Sequence, residues 1–243
     1  IDITTRNYNS FLNVLVAGIN NKMKRIVVTS SVAVYGDIES PFKETDTPHP
    51  EDLYGLSKFN MEQTLKIMSK VHKFEYAIAR PHNVYGPKQS MSDPYRNVVM
   101  IWMNKILNKE PYTIYWDGSM KRCYTYIDDL IEGLYKLGFE KVNKQIFNLG
   151  ADEAFSLKEL SDAIQEASNK NIEPVFLPMR AQEIKEAIPS HEKVKRILNY
   201  ETKTSFVDGI KKTWEWAKTQ GPQEQVFTSL EIDSPKVPKN WRK

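Results

Sequence analysis

The sequence predicts an α/β protein with a doubly wound parallel sheet and a smaller α/β lobe. Short runs rich in β-branched and aromatic residues alternate along the chain with segments whose apolar residues recur at helical spacing. This alternation is typical of parallel strands that are covered by helices on both faces. The chain has 243 residues, of which 40% are hydrophobic and 27% charged, so it is long enough to bury a core.

The elements follow from periodicity and from helix-start signals. Apolar residues at Phe11, Leu15 and Ile19 share one helical face, and Ser156 with Glu159 forms a capping box that starts a later helix. Helices are predicted over 5–20, 53–72, 97–108, 128–139, 156–168 and 206–218, and strands over 26–28, 76–79, 112–116 and 146–149. After residue 220 the pattern dissolves among prolines, which predicts an extended tail over 220–243.

Charge and cysteine content exclude several classes of protein. The net charge is only +3, and lysines alternate with acids along predicted helices, so no nucleic-acid surface is expected. The single cysteine, Cys123, gives no sign of a disulfide framework or a metal site. No stretch approaches the roughly 20 apolar residues of a membrane span, and residues 1–9 do not resemble a signal peptide. We therefore expect a cytoplasmic protein.

The first chemical motif is Tyr54-Gly55-Leu56-Ser57-Lys58. Residues four apart stand on one face of a helix, so Lys58 lies one turn from Tyr54. An ammonium group there stabilises the phenolate and lowers the tyrosine pKa from about 10, which makes a base for removing an alcohol proton. Taken alone the motif is weak, because a chain rich in Tyr and Lys produces this spacing by chance.

A serine upstream strengthens the interpretation. Thr29, Ser30 and Ser31 directly follow the strand predicted over 26–28, and ligand contacts in doubly wound sheets lie beyond the carboxyl ends of strands. A hydroxyl at Ser31 can bond the same substrate oxygen that Tyr54 deprotonates. A turn or helix-cap role is the simpler reading for this serine alone, whereas the set of Ser31, Tyr54 and Lys58 has the order of a hydroxyl-oxidation site.

With further motifs, the chain resembles the extended short-chain dehydrogenase/reductase family, especially NAD-dependent UDP-sugar 4-epimerases. The matching segments are 27–31 with 35–37, 54–58, 80–87 (Arg-Pro-His-Asn-Val-Tyr-Gly-Pro), 122–130 and 147–150. The resemblance implies a Rossmann-like domain from residues 1–82 and 125–150. It implies a nucleotide-sugar-binding lobe from residues 83–124 and 151–219.

The resemblance also implies roles for single residues. Tyr54 is the base on the sugar 4-hydroxyl, Lys58 holds the nicotinamide ribose, and Ser31 bonds O4 while NAD takes and returns a hydride. The further cofactor contacts implied are Asn7, Thr29, Ser30 and Pro81. The substrate contacts implied are Asn83, Asn97, Tyr115, Arg122, Arg180 and Glu183, with the two arginines clamping the diphosphate. Core and surface roles are the simpler reading of Tyr115 and the arginines outside this family context.

The chain departs from the family pattern at its start. It contains no GxGxxG or GxxGxxG loop, which the family places near its beginning to hold the cofactor pyrophosphate. The resemblance therefore implies that about three strands with their helices are missing before Ile1. The chain is then a fragment, a gene remnant or one piece of a split protein.

Other departures bear on the reaction. The related dehydratases carry an acid pair just after the serine motif, and the related decarboxylases keep a glutamate there. This chain has Val32 and Ala33, which favours an epimerase and leaves a keto-sugar reductase open. Ala187 falls where the family limits the size of the C2 substituent, so an N-acetyl sugar is also plausible.

The resemblance implies a homodimer through the helices at 5–20 and 53–72. The rival from another class is a catalytically silent nucleotide-sugar-binding module, which has no need of the intact Ser31, Tyr54 and Lys58.

Overall fold

The computed structural model describes residues 2–95, 97–179 and 184–227. In these residues the helices are α1 (Asp2–Asn20), α2 (Leu53–His72), α3 (Val98–Leu107), α4 (Ile127–Phe139), α5 (Leu157–Ser168), α6 (Glu192–Leu198) and α7 (Phe206–Gln220). The strands are β1 (Arg25–Thr29), β2 (Glu75–Pro81), β3 (Val84–Tyr85), β4 (Thr113–Tyr115), β5 (Lys121–Cys123), β6 (Thr125–Tyr126), β7 (Gln145–Leu149), β8 (Ala154–Ser156), β9 (Val175–Leu177) and β10 (Glu186–Ala187). The α/β fold with parallel strands is confirmed.

The described residues divide into two compact units. Unit 1 draws on residues 2–82, 128–152 and 187–202, and unit 2 draws on residues 83–95, 97–127, 153–179, 184–186 and 203–227.

Unit 1 is built on a parallel sheet with the strand order β1-β2-β7. Its register aligns Thr29 with Ala79, and Ala79 with Phe147, so these strands share their carboxyl ends. Helices α1 and α2 pack together, and Leu15, Leu65 and Ile78 form a cluster that is at most 1% exposed. The central strand β2 is buried from Tyr76 to Pro81, and such buried parallel strands are rich in apolar residues.

The ends of α2 are defined by its caps. The Asp52 carboxylate accepts a hydrogen bond from the Gly55 N–H at 2.5 Å, and the helix ends at Lys73 in the left-handed conformation. An aspartate at this position satisfies a backbone donor that the first turn leaves unpaired. The cap therefore fixes where α2 begins, and with it the position of Tyr54 in the first turn.

Unit 2 has an apolar core between three helices. Met100 and Met103 of α3, Ile164 of α5, and Ile210 and Trp214 of α7 are all at most 3% exposed and belong to one cluster. Short strands border this core: β4 pairs in parallel with β9, and β5 pairs antiparallel with β8. The capping box predicted at Ser156 and Glu159 is present in both directions.

Residues 187–202 lie in unit 1, whereas the family resemblance implied that residues 151–219 belong to the second lobe. Polar contacts explain the difference. Lys193 Nζ donates to the Ile146 carbonyl at 2.7 Å, and Asn148 Nδ2 donates to the Ser190 carbonyl at 3.2 Å. His191 Nε2 also lies 2.9 Å from His82 Nε2, with both rings buried. These long-range contacts hold α6 against β7.

Helix α7 ends two residues later than predicted, and residues 221–227 continue without helix or strand. Within the described parts of the chain, no helix is long and apolar enough to span a bilayer.

Candidate active site

The candidate catalytic residues of unit 1 lie at the carboxyl end of β1 and in the first turns of α2. Ser31 follows β1 and caps the 3-10 turn Val32–Val34, where its Oγ accepts a hydrogen bond from the Ala33 N–H at 3.1 Å. Tyr54 is 36% exposed, so its phenol is accessible. The hydrogen bond from the Ala33 N–H shows that Ser31 does have the cap role suggested by the sequence. Because a hydroxyl can accept one bond and donate another, Ser31 retains its proton for a substrate oxygen.

Gly55 allows α2 to start against this turn. A Cβ atom added at Gly55 would lie 2.4 Å from the Ala33 carbonyl oxygen, closer than real Cβ contacts come. Only a residue without a side chain fits between the helix and the backbone of the turn. The glycine of the Tyr-Gly-Leu-Ser-Lys motif thus holds the Ser31 turn and the first turn of α2 in close contact.

Lys58 joins α2 to the end of β1. Its Nζ donates to the Thr29 carbonyl at 2.8 Å and lies 5.7 Å from the centre of the Tyr54 ring. Burial lowers the pKa of the lysine from its ordinary value. The same burial strengthens the attraction between the ammonium and a tyrosinate, since charges interact more strongly where water is scarce. The predicted pairing of Lys58 with Tyr54 on one helical face is present.

A buried polar network lies beneath these residues. The Glu62 carboxylate, 0% exposed, receives two hydrogen bonds from the Arg80 guanidinium at 2.8 and 2.7 Å and one from the Ser30 hydroxyl at 2.6 Å. Arg80 in turn packs over the ring of Tyr35 at 4.6 Å, and the Tyr35 hydroxyl donates to Asn148 at 2.8 Å. Burial raises the pKa of Tyr35 to about 12. This network connects α2, β1, β2 and β7.

The residues assigned to the cofactor occupy different environments. Thr29 is exposed at the end of β1, Asn7 is half-buried on α1, and Pro81 is buried at the end of β2. Ser30 is different, because its hydroxyl donates to Glu62 and its N–H donates to the Ala79 carbonyl at 2.7 Å. The Ser30 hydroxyl proton is therefore committed to Glu62, and the side chain, 1% exposed, belongs to the buried network.

The chemistry of this set fits the nicotinamide half of NAD. A lysine ammonium is suited to ribose hydroxyls and an accessible phenol to a reacting alcohol, and both stand where parallel sheets bind ligands. Tyr54 supplies the phenol and Lys58 the ammonium, and the exposed Thr29 side chain adds a hydroxyl at the same strand end.

Unit 2 contains a cavity of about 410 Å³. Its walls combine aromatic rings, amides and cations. The lining includes Asn83, Tyr95, Trp102, Lys105, Tyr112, Tyr115, Arg122, Tyr124, Gln225 and Phe227. A cavity with stacking surfaces and a few polar groups suits a nucleotide, whose base is flat and whose phosphates are anionic.

Three of the predicted substrate residues line this cavity. Asn83 donates to the Cys123 carbonyl at 3.1 Å, and Tyr115 is half-buried on β4. The Arg122 guanidinium donates to the Lys121 carbonyl at 2.8 Å and to the Ile184 carbonyl at 2.5 Å. Backbone carbonyls therefore hold Arg122 in place at the cavity.

A fourth predicted substrate residue, Asn97, is not brought to the cavity. Asn97 is exposed as the N-cap residue of α3 in the left-handed conformation, without a side-chain cap bond, and it is not part of the cavity lining. Arg180 and Glu183 lie outside the described residues. Ala187 packs against the cluster of Val34, Tyr35 and Phe42.

Several cavity residues were not predicted from the sequence. Tyr124 lies within the 122–130 motif, and its buried hydroxyl has no hydrogen-bond partner in the described part of the chain, so it can donate to a ligand. Burial raises the pKa of that phenol. Tyr95, Gln225 and Phe227 belong to segments without periodicity, and only their aromatic and amide character could have drawn notice.

Comparison with known proteins identifies the family. The sequence model of the NAD dependent epimerase/dehydratase family matches residues 1–150. This chain belongs to that family. Family members use NAD, so the NAD cofactor predicted from the sequence is confirmed at the level of the family.

Relatives of this epimerase/dehydratase chain include enzymes with different reactions. It is 28% identical to the UDP-N-acetyl-alpha-D-glucosaminuronate decarboxylase of Bacillus cytotoxicus over 89% of this chain and 70% of that protein. The UDP-glucose 4-epimerase of Thermotoga maritima, solved with UDP-glucose, is 30% identical with a TM-score of 0.82, covering 89% of this chain and 71% of that one. The UDP-glucuronic acid 4-epimerase of Bacillus cereus, solved with UDP-glucuronic acid and NAD, is 26% identical with a TM-score of 0.81, covering 88% and 68%.

The chain spans only part of its relatives. Two plant UDP-glucuronic acid decarboxylases from Arabidopsis thaliana are matched over 43% and 42% of their length. The family and its use of NAD are shared with these relatives, whose reactions differ from one another.

Proposed function

We propose that this protein interconverts the C4 epimers of a UDP-sugar with NAD as cofactor, through a transient 4-keto sugar. The observation that carries the proposal is the arrangement of Tyr54 and Lys58 on one face of α2, with the Lys58 ammonium fixed on the Thr29 carbonyl at the end of β1. A nearby serine hydroxyl, that of Ser31, completes the set needed to oxidise an alcohol.

In this mechanism the Tyr54 phenolate accepts the proton of the sugar 4-hydroxyl. Lys58 stabilises the negative charge on the phenolate before that transfer and holds the cofactor ribose. Ser31 donates a hydrogen bond to O4 and follows the oxygen as it becomes a carbonyl. NAD, with its ribose held by Lys58, would supply the hydride acceptor for C4 and the hydride donor to the opposite face of the sugar. Tyr54 then gives the proton back to O4, so the reaction has no net redox change.

The absence of an acid beside Ser31 supports epimerisation over decarboxylation or dehydration. Val34 of the turn is 0% exposed, and Val32 packs against the same apolar cluster. Val32 and Ala33 carry no group that can transfer a proton, whereas eliminating water needs a separate acid and base. Because the Bacillus cytotoxicus relative is a decarboxylase, decarboxylation is the second candidate, and the products distinguish the two reactions.

The cavity of unit 2 supports a UDP-sugar as the substrate, with the UDP group bound in the cavity. Arg122 offers a charged donor to the diphosphate, and Tyr115 offers a ring to the base. We extend the diphosphate clamp to Arg180 and the ribose contact to Glu183 from the family resemblance alone. By the same resemblance, the small side chain of Ala187 leaves room for a large substituent at sugar C2, so the proposed substrates include the N-acetyl sugars.

A homodimer through α1 and α2 is part of the proposal. Apolar side chains on these helices are 50 to 64% exposed, namely Val14, Val16, Ile67 and Val71. Exposed apolar groups on neighbouring helices favour association with a second helix pair. Ile67→Asp should convert a dimer to a monomer in light scattering coupled to size exclusion, and an unchanged mass would refute this interface. The cytoplasmic location stays a prediction.

The decisive experiment measures bound cofactor and products together. The purified chain is denatured to count released NAD, and intact protein is incubated with UDP-glucose, UDP-N-acetylglucosamine and UDP-glucuronate. We expect C4 epimers of at least one sugar and none from Tyr54→Phe, which should still bind UDP. Release of CO₂ with a UDP-pentose would instead establish a decarboxylase. UDP binding without any conversion would leave the silent binding module.

A further inference from the structure

The segment that follows α7 is attached to unit 2 through a buried amide. Asn104 is 1% exposed in the strongly apolar helix α3, and its side chain forms two hydrogen bonds with the backbone of Gln223. Asn104 Nδ2 donates to the Gln223 carbonyl at 2.9 Å, and the Gln223 N–H donates to Asn104 Oδ1 at 2.9 Å. Because a buried amide without partners is costly, this exchange of hydrogen bonds holds residues 221–227 in place.

Two further contacts continue the attachment. The Val226 N–H donates to the Ser92 carbonyl at 2.8 Å, and the ring of Phe227 stands edge-on to the ring of Tyr95 at 6.1 Å. Along this stretch the side chains alternate as on a strand. Glu224 and Val226 are exposed, whereas Gln225 and Phe227 are half-buried and line the cavity.

We propose that Gln225 and Phe227 contact the uridine of the bound nucleotide, so that the segment after α7 is part of the nucleotide site. This inference rests on the proposed function of the cavity. Residues 221–227, the described part of the segment, present an amide and an aromatic ring and no cation to the cavity, so their chemistry suits a base and ribose and does not suit a diphosphate. The amide can donate to one uracil or ribose oxygen and accept from an N–H or hydroxyl, and the ring adds apolar contact.

Asn104 takes part only indirectly, as a positioning residue. It does not line the cavity, yet it holds Gln223, two residues before Gln225. Asn104→Leu keeps the bulk and burial of the side chain while removing both hydrogen bonds to the segment. Loss of nucleotide affinity in that variant would therefore come from a released segment.

The test compares binding of UDP and of free uridine, by calorimetry and by competition. Gln225→Ala and Phe227→Ala should each weaken both ligands by about fivefold to tenfold, since both contacts are with uridine. Arg122→Ala should weaken UDP alone. Glu224→Ala is the matched control on the outward side of the segment and should leave both affinities unchanged.

A double variant tests the positioning role. Asn104→Leu should weaken both ligands as Phe227→Ala does, and the two substitutions together should lose no more than the larger single loss. Thermal unfolding shows whether Asn104→Leu fails to fold. If it does, the affinities of Gln225→Ala and Phe227→Ala test the inference without it. If the parent chain binds UDP and those two variants bind it within twofold of the parent, this inference is refuted while the cavity remains the nucleotide site. If the parent binds no UDP, the proposed function fails first.

Discussion

Arg80 and Glu62 form a bidentate ion pair at 1% and 0% side-chain exposure, directly beneath the residues proposed for catalysis. The pair joins the middle of α2 to β2, and the Ser30 hydroxyl adds the end of β1 to the same carboxylate. The helix face that carries Tyr54 and Lys58 is thereby attached to the strand ends through buried charges.

Removing one partner of this pair should be costly. Glu62→Gln leaves the Arg80 guanidinium buried without its counter-ion, and such losses reach about 3–5 kcal/mol. Urea unfolding followed by circular dichroism measures the change. The control is Glu75→Gln, whose partner Arg25 belongs to a half-exposed pair, with an expected loss below about 1 kcal/mol. Equal losses in the two variants would contradict a special role for the buried pair.

Replacing Gly55 of the Tyr-Gly-Leu-Ser-Lys motif should move the Ser31 turn and the first turn of α2 apart. Gly55→Ala places a methyl group against the Ala33 carbonyl, so either α2 or the Ser31 turn must shift. A displacement on the order of 1 Å can lower a rate about a hundredfold. We expect kcat to fall by that order while UDP affinity is retained. Gly138→Ala is the matched control, because nothing lies within 4 Å of a Cβ there, and wild-type turnover in Gly55→Ala would refute the argument.

Removing the ammonium group should shift the pH dependence of the reaction. In Lys58→Met the Tyr54 phenolate loses its neighbouring positive charge, so the pKa of the phenol rises and the acid limb of the kcat/KM profile moves to higher pH. Steady-state rates from pH 5 to about 10 would detect this shift. Lys70→Met, on an exposed position of the same helix, should leave the profile unchanged.

A carboxylate of unit 1 should make stability depend on acid. Hydrogen bonding from His191, opposed by burial and assisted by Lys195, lowers the pKa of Asp152 to about 2. Because the folded pKa lies below the unfolded value of about 3.9, the stabilisation is complete above that value and is lost as pH falls towards 2.

The variant Asp152→Asn should therefore be less stable than the parent at pH 7, and the difference should shrink between about pH 4 and pH 2. Urea midpoints at several pH values measure it. Asp162→Asn on the exposed face of α5 serves as the control. A difference that stays constant across this range would show that the ionised Asp152 carboxylate does not stabilise the fold.

Much of the fold was predictable because the signals were local. The ends of α2 and the start of α5 depend on Asp52, Lys73 and Ser156, each within a few residues of the helix it caps. The Tyr54 and Lys58 pairing follows from helical spacing alone. Glu62 could not be recognised in the same way, since its partners Ser30 and Arg80 lie 32 and 18 residues away in sequence.

The cavity shows where local reasoning stops. Asn83 and Arg122 were predicted through a motif, whereas Gln225 reaches the cavity only because Asn104, 119 residues from Gln223, holds the segment there. Asn97 was assigned to the nucleotide from the family resemblance, yet its side chain is exposed and is not part of the cavity lining. Long-range hydrogen bonds leave no periodic trace in the sequence.

Cys123 is buried on β5, next to Arg122, and its carbonyl accepts the amide of Asn83. A thiol reagent can reach it only when β5 opens, because modification needs an accessible thiolate. Since it is the one cysteine of the chain, the rate at which a thiol reagent labels the protein measures how often β5 opens. A ligand that bridges Asn83 and Arg122 would slow the labelling of Cys123. The labelling rate of the unmodified protein therefore reports whether the cavity holds a ligand.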